Sequence, residues 1–202
     1  MSMSKSPLTL VFLVFALILG VTVASVGAWH LFAPKHSGLP ELRLGGDFEL
    51  PESEGETFRL ADQRGRLVLM TFGFTSCPDI CPLTLARFRA VLDELGPDAK
   101  RLQTVMIAVD PERDLPERLG EYVRYFDTSM IGLVAPRNQL AAVERLYGAR
   151  VIVSDNGDVA HSDYLYLIDD QGKTRKLFDQ QASVDEIVSV IRSLLREARG
   201  RR

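Results

Sequence analysis

The chain has 202 residues, 46% hydrophobic and 25% charged, which suits one ordinary globular domain with an appendage and excludes wholesale disorder. Its formal charge of −3 lacks the basic excess that phosphate recognition requires, so nucleic acid is not expected among its partners.

In chain order, a short N-terminus (residues 1–7) precedes an apolar stretch from Leu8 to Trp29, with no charged side chain between Lys5 and Lys35. At about 1.5 Å per residue this stretch is long enough to cross a hydrocarbon core of roughly 30 Å. It predicts a transmembrane anchor over residues 8–32. The competing reading is a cleaved signal peptide, for which Ala24 to Ala28 offers small residues, although signal cores usually run about 7–15 residues. Lys5 and the free amino terminus favour an N-inside orientation. Everything from about His36 onward is then expected on the periplasmic or outer face of the cytoplasmic membrane.

After a linker over residues 33–44, containing Pro34, Gly38 and Pro40, Phe48 to Leu50 and Thr57 to Leu60 read as a small hairpin. The apolar run Leu67 to Phe74 reads as a buried strand. Directly after it come the chain's only two cysteines, in Cys77-Pro78-Asp79-Ile80-Cys81-Pro82. A proline disfavours helical backbone in the residue before it, and Pro82 suits the first position of a helix. Both cysteines are therefore expected in a loop that ends where a helix begins.

From Pro82 to Leu95 the apolar residues Leu85, Phe88, Leu92 and Leu95 recur at helical spacing, and Gly96-Pro97 stops the helix. A second buried strand follows at Gln103 to Val109. Helix is predicted over Leu115 to Phe126, a short strand over Ile131 to Val134, and helix over Asn138 to Tyr147, closed by Gly148. Ala149 to Val153 reads as a strand before the turn Asp155 to Asp158. Tyr164 to Ile168 and Thr174 to Phe178 flank Asp169-Asp170-Gln171-Gly172, a hairpin turn signal. Ser183 with Glu186 three residues on is a capping box opening a helix over Val184 to Arg199. Arg192, Arg196, Arg199, Arg201 and Arg202 make its end basic, which reads as a solvated helix terminus suited to the dipole, with a lipid or partner contact as the alternative. The order βαβα with a closing hairpin and helix predicts an α/β, thioredoxin-like fold over residues 45–199, followed by a basic tail at 200–202.

A thiol pair at a strand's C-terminal end and a helix N-terminus is placed where ligands collect and where the dipole favours thiolate. On a continuous helix, positions four apart have Cβ atoms roughly 5–6 Å apart, whereas a disulfide wants about 3.5–4.5 Å. A bent loop can close a Cys77–Cys81 disulfide; a more open one lets both sulfurs grip a metal. A purely structural disulfide is a weak explanation, because so short a ring restricts the unfolded chain little. The candidate third metal ligand is His161, between the polar turn and the strand Tyr164 to Ile168. His30 and His36 flank the end of the apolar span and read as interfacial residues.

Gly73-Phe74-Thr75-Ser76-Cys77-Pro78-Asp79-Ile80-Cys81-Pro82, then Val109-Asp110-Pro111-Glu112-Arg113-Asp114, then His161-Ser162 before Tyr164-Leu165-Tyr166-Leu167-Ile168-Asp169, strongly resemble the Sco/SenC proteins. Those are membrane-tethered, thioredoxin-like copper proteins that help assemble the dinuclear copper centre of cytochrome c oxidase. The resemblance runs from about Gly45 to Leu195. It implies that Cys77, Cys81 and His161 bind one copper ion per chain. It also implies as partners the copper-bearing oxidase subunit, other copper carriers or thiol reductases, and the membrane. Many relatives carry an acidic residue directly before that histidine; this chain has Ala160, with Asp158 and Asp163 nearby.

The donor chemistry agrees. Two thiolates and an imidazole make a soft set suited to Cu(I), and Cu(II) can be held by the same atoms with another group added. Structural zinc would want a fourth protein ligand. Met70 and Met106 read as core residues. Asp79 reads equally as a turn former or as an acceptor near the site. Asp114 is expected to N-cap the helix at Leu115, and Arg113 to pair with an acidic neighbour. The rival function is a thiol-disulfide oxidoreductase using Cys77 and Cys81 as its redox-active, catalytic thiols to reduce the oxidase subunit's cysteines or to act in redox signalling. Peroxidase chemistry would need its own cysteine motif, which is not found.

Overall fold

The computed structural model describes residues 39–154 and 159–201, together with residues 13, 16, 17, 20 and 21, which are helical. Most of the expected anchor, His30, His36, the turn Asp155 to Asp158 and Arg202 lie outside the described residues. Among the described residues, no helix is long and apolar enough to cross a membrane.

The domain is built on a five-stranded mixed sheet in the order β5-β4-β3-β8-β9. Its centre is β3 (Leu67–Gly73) paired in parallel with β4 (Leu102–Ala108), every residue of both being buried. Helices cover both faces, which is why these strands are near-continuous apolar runs. β5 (Ile131–Leu133) extends the parallel part, while β8 (Leu165–Ile168) and β9 (Thr174–Phe178) add an antiparallel hairpin on the other side. β1 (Glu49–Pro51) pairs with β2 (Thr57–Arg59), and β6 (Val151–Val153) with β7 (Val159–His161), as separate two-stranded ribbons.

Strand alternation sorts the core into two layers. Leu67 and Leu69 face α1 (Ile80–Leu95) and α4 (Val184–Gly200), meeting Leu85, Phe88, Ile187 and Ile191. Val68, Met70 and Phe72 face the other way, meeting Phe48, Leu140 and Tyr147. α2 (Pro116–Phe126) packs with the first layer through Leu119 and Val123, and α3 (Arg137–Tyr147) with the second. This is the expected thioredoxin-like architecture.

Gly148 closes α3 in the left-handed conformation, φ 63°, and the Ser183 hydroxyl accepts a bond from Glu186 N–H at 3.1 Å. The Glu186 carboxylate reaches Lys176 at 3.7 Å. From Leu39 the segment read as linker is tied to the domain, its carbonyl accepting from Arg175 at 2.7 Å and Leu42 N–H donating to Thr174 at 2.8 Å. Arg199 pairs with Asp98 at 2.8 Å and Arg201 with Glu197 at 2.7 Å. Internal carboxylates thus occupy these cations of the basic end.

Two expectations are corrected. α1 starts at Ile80, so Cys81 lies inside its first turn and Pro82 is the third helical residue. Proline is tolerated there because a first-turn N–H has no partner within the helix. α2 starts at Pro116 with Leu115 as its capping residue. Asp114 is turned instead toward Thr75, accepting from its backbone N–H at 3.1 Å and its hydroxyl at 2.5 Å.

Candidate metal centre

β3 ends at Gly73 and delivers the chain into the loop that carries Cys77, while the first turn of α1 carries Cys81 back toward the strand end. Cys81 is 5% exposed and Cys77 half-buried, and both are free thiols. Their environments are opposite. For Cys77, burial pushes the thiol up, but the backbone N–H groups of Asp79, Cys81 and Ile80 and the Cys81 thiol donate to its sulfur and more than offset this, leaving it below the ordinary value. These are the unsatisfied donors of a helix N-terminus used as an anion cradle. Burial pushes the Cys81 thiol up to about 12, helped by the neighbouring Cys77 and Asp163 and only partly countered by the Phe74 N–H.

His161 ends β7, held opposite Val151 by the β6–β7 ribbon. Its Nε2 lies 3.8 Å from Cys81 Sγ. Its Nδ1 is 3.1 Å from the Ser162 carbonyl and 3.4 Å from an Asp163 carboxylate oxygen. A carbonyl only accepts, so the neutral ring carries its proton on Nδ1 and turns the Nε2 lone pair toward the sulfur. A carboxylate or carbonyl on the far nitrogen is the usual support of a metal-binding imidazole. The Phe74 ring meets the imidazole edge-on at 5.7 Å. Ala160 is exposed, as alternation along β7 requires; Asp163 supplies the carboxylate that Ala160 does not.

Between these groups lies a cavity of about 10 Å³, lined by Gly73, Cys81, Met106, His161, Asp163 and Gln180 among others. That is space for a single water-sized occupant. Gly73 keeps it open, because a Cβ there would come 2.9 Å from Met106 Cε and 3.1 Å from Cys81 Sγ. Met70 and Met106 are both fully buried core residues, as expected. Gln180 braces the floor, donating from Nε2 to the Asp163 carbonyl at 2.9 Å. Asp79 is exposed; its contribution to the site is its backbone N–H. Arg113 pairs with the buried Asp110 at 3.0 Å. Among the described residues, no three His, Cys, Asp or Glu side chains are gathered closely enough to hold a metal ion outright. Cys81 and His161 are in contact, and Cys77 sits on the helix-terminal side of Cys81.

Sequence reasoning missed Gly73 as a spacer, Asp163 and Gln180 as supports, and Asp114 as the clamp on Thr75. The glycine at a strand end was the one legible signal, since a strand glycine often marks a close approach.

The family model described as SCO1/SenC matches residues 37–196. An SCO2-like protein of Rickettsia prowazekii (strain Madrid E) is 33% identical over 208 residues, covering 94% of this chain and 98% of its own. Among solved structures, Arabidopsis thaliana ScoI with copper bound has a TM-score of 0.70 and 29% identity, covering 75% of this chain and 98% of its own. Bradyrhizobium japonicum ScoI with copper bound has a TM-score of 0.67 and 30% identity, covering 75% and 99%.

Proposed function

The chain belongs to the SCO1/SenC family, and on that premise we propose that it is a membrane-anchored copper carrier. Cys77, Cys81 and His161 take one copper ion as cargo and surrender it, by ligand exchange, to the copper-bearing subunit of cytochrome c oxidase. The observation that carries this reading is the contact of Cys81 Sγ with His161 Nε2 at 3.8 Å, beside a second thiol cradled by a helix N-terminus. Two soft sulfurs and a nitrogen fit copper's preferences in both oxidation states. Cys77 is already biased toward thiolate and needs only to swing from its backbone donors to join the other two. Cys81 must give up its proton when the cargo enters, so uptake is coupled to proton release. Residues 8–32 anchor the protein, with the domain on the outer face; the uncharged span between Lys5 and Lys35 supports this.

The test is copper titration of the reduced protein, with ligation read by X-ray absorption, alongside His161→Ala. One ion per chain on two sulfurs and one nitrogen is expected. The variant should retain Cu(I) on its sulfurs, bind Cu(II) poorly, still close its disulfide and fail to support oxidase assembly. Wild-type copper binding by His161→Ala together with normal assembly would remove His161 from the ligand set.

A second reading rests on a different observation, the opposed thiols. An ionisable, half-exposed Cys77 and a buried, protonated Cys81 form an attacking and a resolving pair for thiol-disulfide exchange. Normal assembly with impaired copper binding in His161→Ala would favour it.

A further inference from the structure

His161 is presented to Cys81 by a ribbon that stands apart from the main sheet: β6 and β7, three residues each, pair with one another as a sheet of their own. A lone two-stranded ribbon is marginal in water, so its place over the sulfur depends on what holds the segment that follows it. Two side chains from outside the ribbon do so. The Thr71 hydroxyl is shared between the Tyr164 carbonyl at 3.3 Å and the Phe72 carbonyl at 3.2 Å. Gln180, in the loop between β9 and α4, makes the shorter bond, from Nε2 to the Asp163 carbonyl at 2.9 Å. A carbonyl only accepts, so the Gln180 amide turns its nitrogen to Asp163 and its oxygen the other way. That oxygen meets Thr84 Oγ1 of α1 at 3.5 Å. The Gln180 backbone carbonyl accepts from Arg87 Nη2, one turn further along α1, at 2.9 Å. Arg87 Nη1 is buried without a hydrogen-bond partner among the described residues, a cost to folding that falls where this side chain pins the loop. Thr84, Gln180, Asp163, His161 and Cys81 line one cavity.

We propose that Gln180 is a positioning residue for His161. With Arg87 as its pin, it clasps the histidine segment to α1, the helix that carries Cys81, and fixes the imidazole over the sulfur before any cargo arrives. Through Asp163, whose carboxylate lies 3.4 Å from His161 Nδ1, the clasp also fixes the support on the far side of the ring. Holding ligands in place beforehand lowers the ordering cost of binding. The proposal rests on the copper-carrier reading above and adds which copper state depends on the clasp. Two sulfurs can hold Cu(I), whereas Cu(II) calls for the added nitrogen. A loosened imidazole therefore weakens Cu(II) and largely spares Cu(I). A residue that only filled space would weaken both ions alike, with or without the imidazole.

The experiment compares full-length, reduced wild type, Gln180→Leu and Arg87→Ala in detergent, with Gln181→Leu, at an exposed neighbouring position, as the control. Arg87→Ala removes the pin without placing a new group in the cavity. In the copper-free protein, amide hydrogen exchange of a peptide spanning β7 and the segment to Tyr164 should quicken on the order of tenfold in Gln180→Leu, and less in Arg87→Ala. Cu(II) affinity, measured by competition with a chelator, should fall by roughly 10- to 100-fold in Gln180→Leu. Cu(I) affinity should change by about threefold or less. In a His161→Ala background, adding Gln180→Leu should leave Cu(II) affinity the same to within about twofold, since the clasp then has no ligand to position. Unchanged exchange overturns the proposal, and so does quickened exchange with undiminished Cu(II) affinity. Equal losses for the two ions, persisting without His161, assign Gln180 to packing and overturn it as well. If wild type takes up no copper, the carrier reading fails on its own, while quickened exchange in both variants still upholds the clasp on His161.

Discussion

Alkylation of the reduced, copper-free protein should mark Cys77 and spare Cys81, and the margin can be worked out. A thiol at its ordinary value of 9.0 is about 1% ionised at pH 7, whereas one pushed up to about 12 is ionised about one part in 10⁵. Cys81 thereby loses roughly three powers of ten in thiolate population, while Cys77, shifted the other way, loses none. The more basic thiolate is the better nucleophile, with a Brønsted slope of about 0.4–0.5, which returns a factor of about 16–32. A preference of at least about 30-fold for Cys77 remains from ionisation alone, and the 5% exposure of Cys81 enlarges it. Iodoacetamide labelling between pH 6 and 9, read by peptide mass spectrometry, measures the ratio directly. Equal labelling, or Cys81 labelled first, would refute the opposed environments and with them the division into attacking and resolving thiols.

The same shift makes stability pH-dependent. Cys81 has a folded value raised above its unfolded one, so its contribution is complete below about pH 9 and is lost by about 1.4 kcal/mol per unit as pH rises toward 12; denaturant unfolding of wild type and Cys81→Ala should diverge in slope there and run parallel below pH 8. Gly73→Ala drives a methyl into Met106 Cε and Cys81 Sγ. It should cost about 1–3 kcal/mol by overpacking and weaken copper uptake, whereas an unchanged melting curve would mean the strand end is not close-packed. Asp114→Ala strands the Thr75 N–H and hydroxyl and should destabilise by about 2–4 kcal/mol, read as a lower urea midpoint with unchanged slope. Alkaline carbonate should leave the full-length protein in the membrane pellet; a soluble species beginning near Trp29 would show a cleaved leader instead.

Period and punctuation carried most of the architecture. Leu67 to Gly73 and Leu102 to Ala108 are legible as buried strands because both faces are covered. The α3 stop at Gly148 and the α4 start at Ser183 are legible because capping chemistry is local. The cysteine pair and His161 were recognisable as residue types in a motif. What no local rule reaches is a contact across long sequence separation. Cys81 and His161 are 80 positions apart, brought together because β3 and the ribbon ending in β7 converge at one end of the sheet. The same holds for Asp114, whose place before a helix suggested a cap. Folding aims it instead at Thr75, 39 residues earlier, where the buried Asp114 carboxylate meets two partly buried donors rather than one helix end. The split between the thiols was equally invisible, since Cys77 and Cys81 share a motif and differ only in what surrounds them. One sulfur sits on the helix N-terminal amides and the other is pressed into the core, a distinction of dielectric and hydrogen bonding that exists only once the chain has packed.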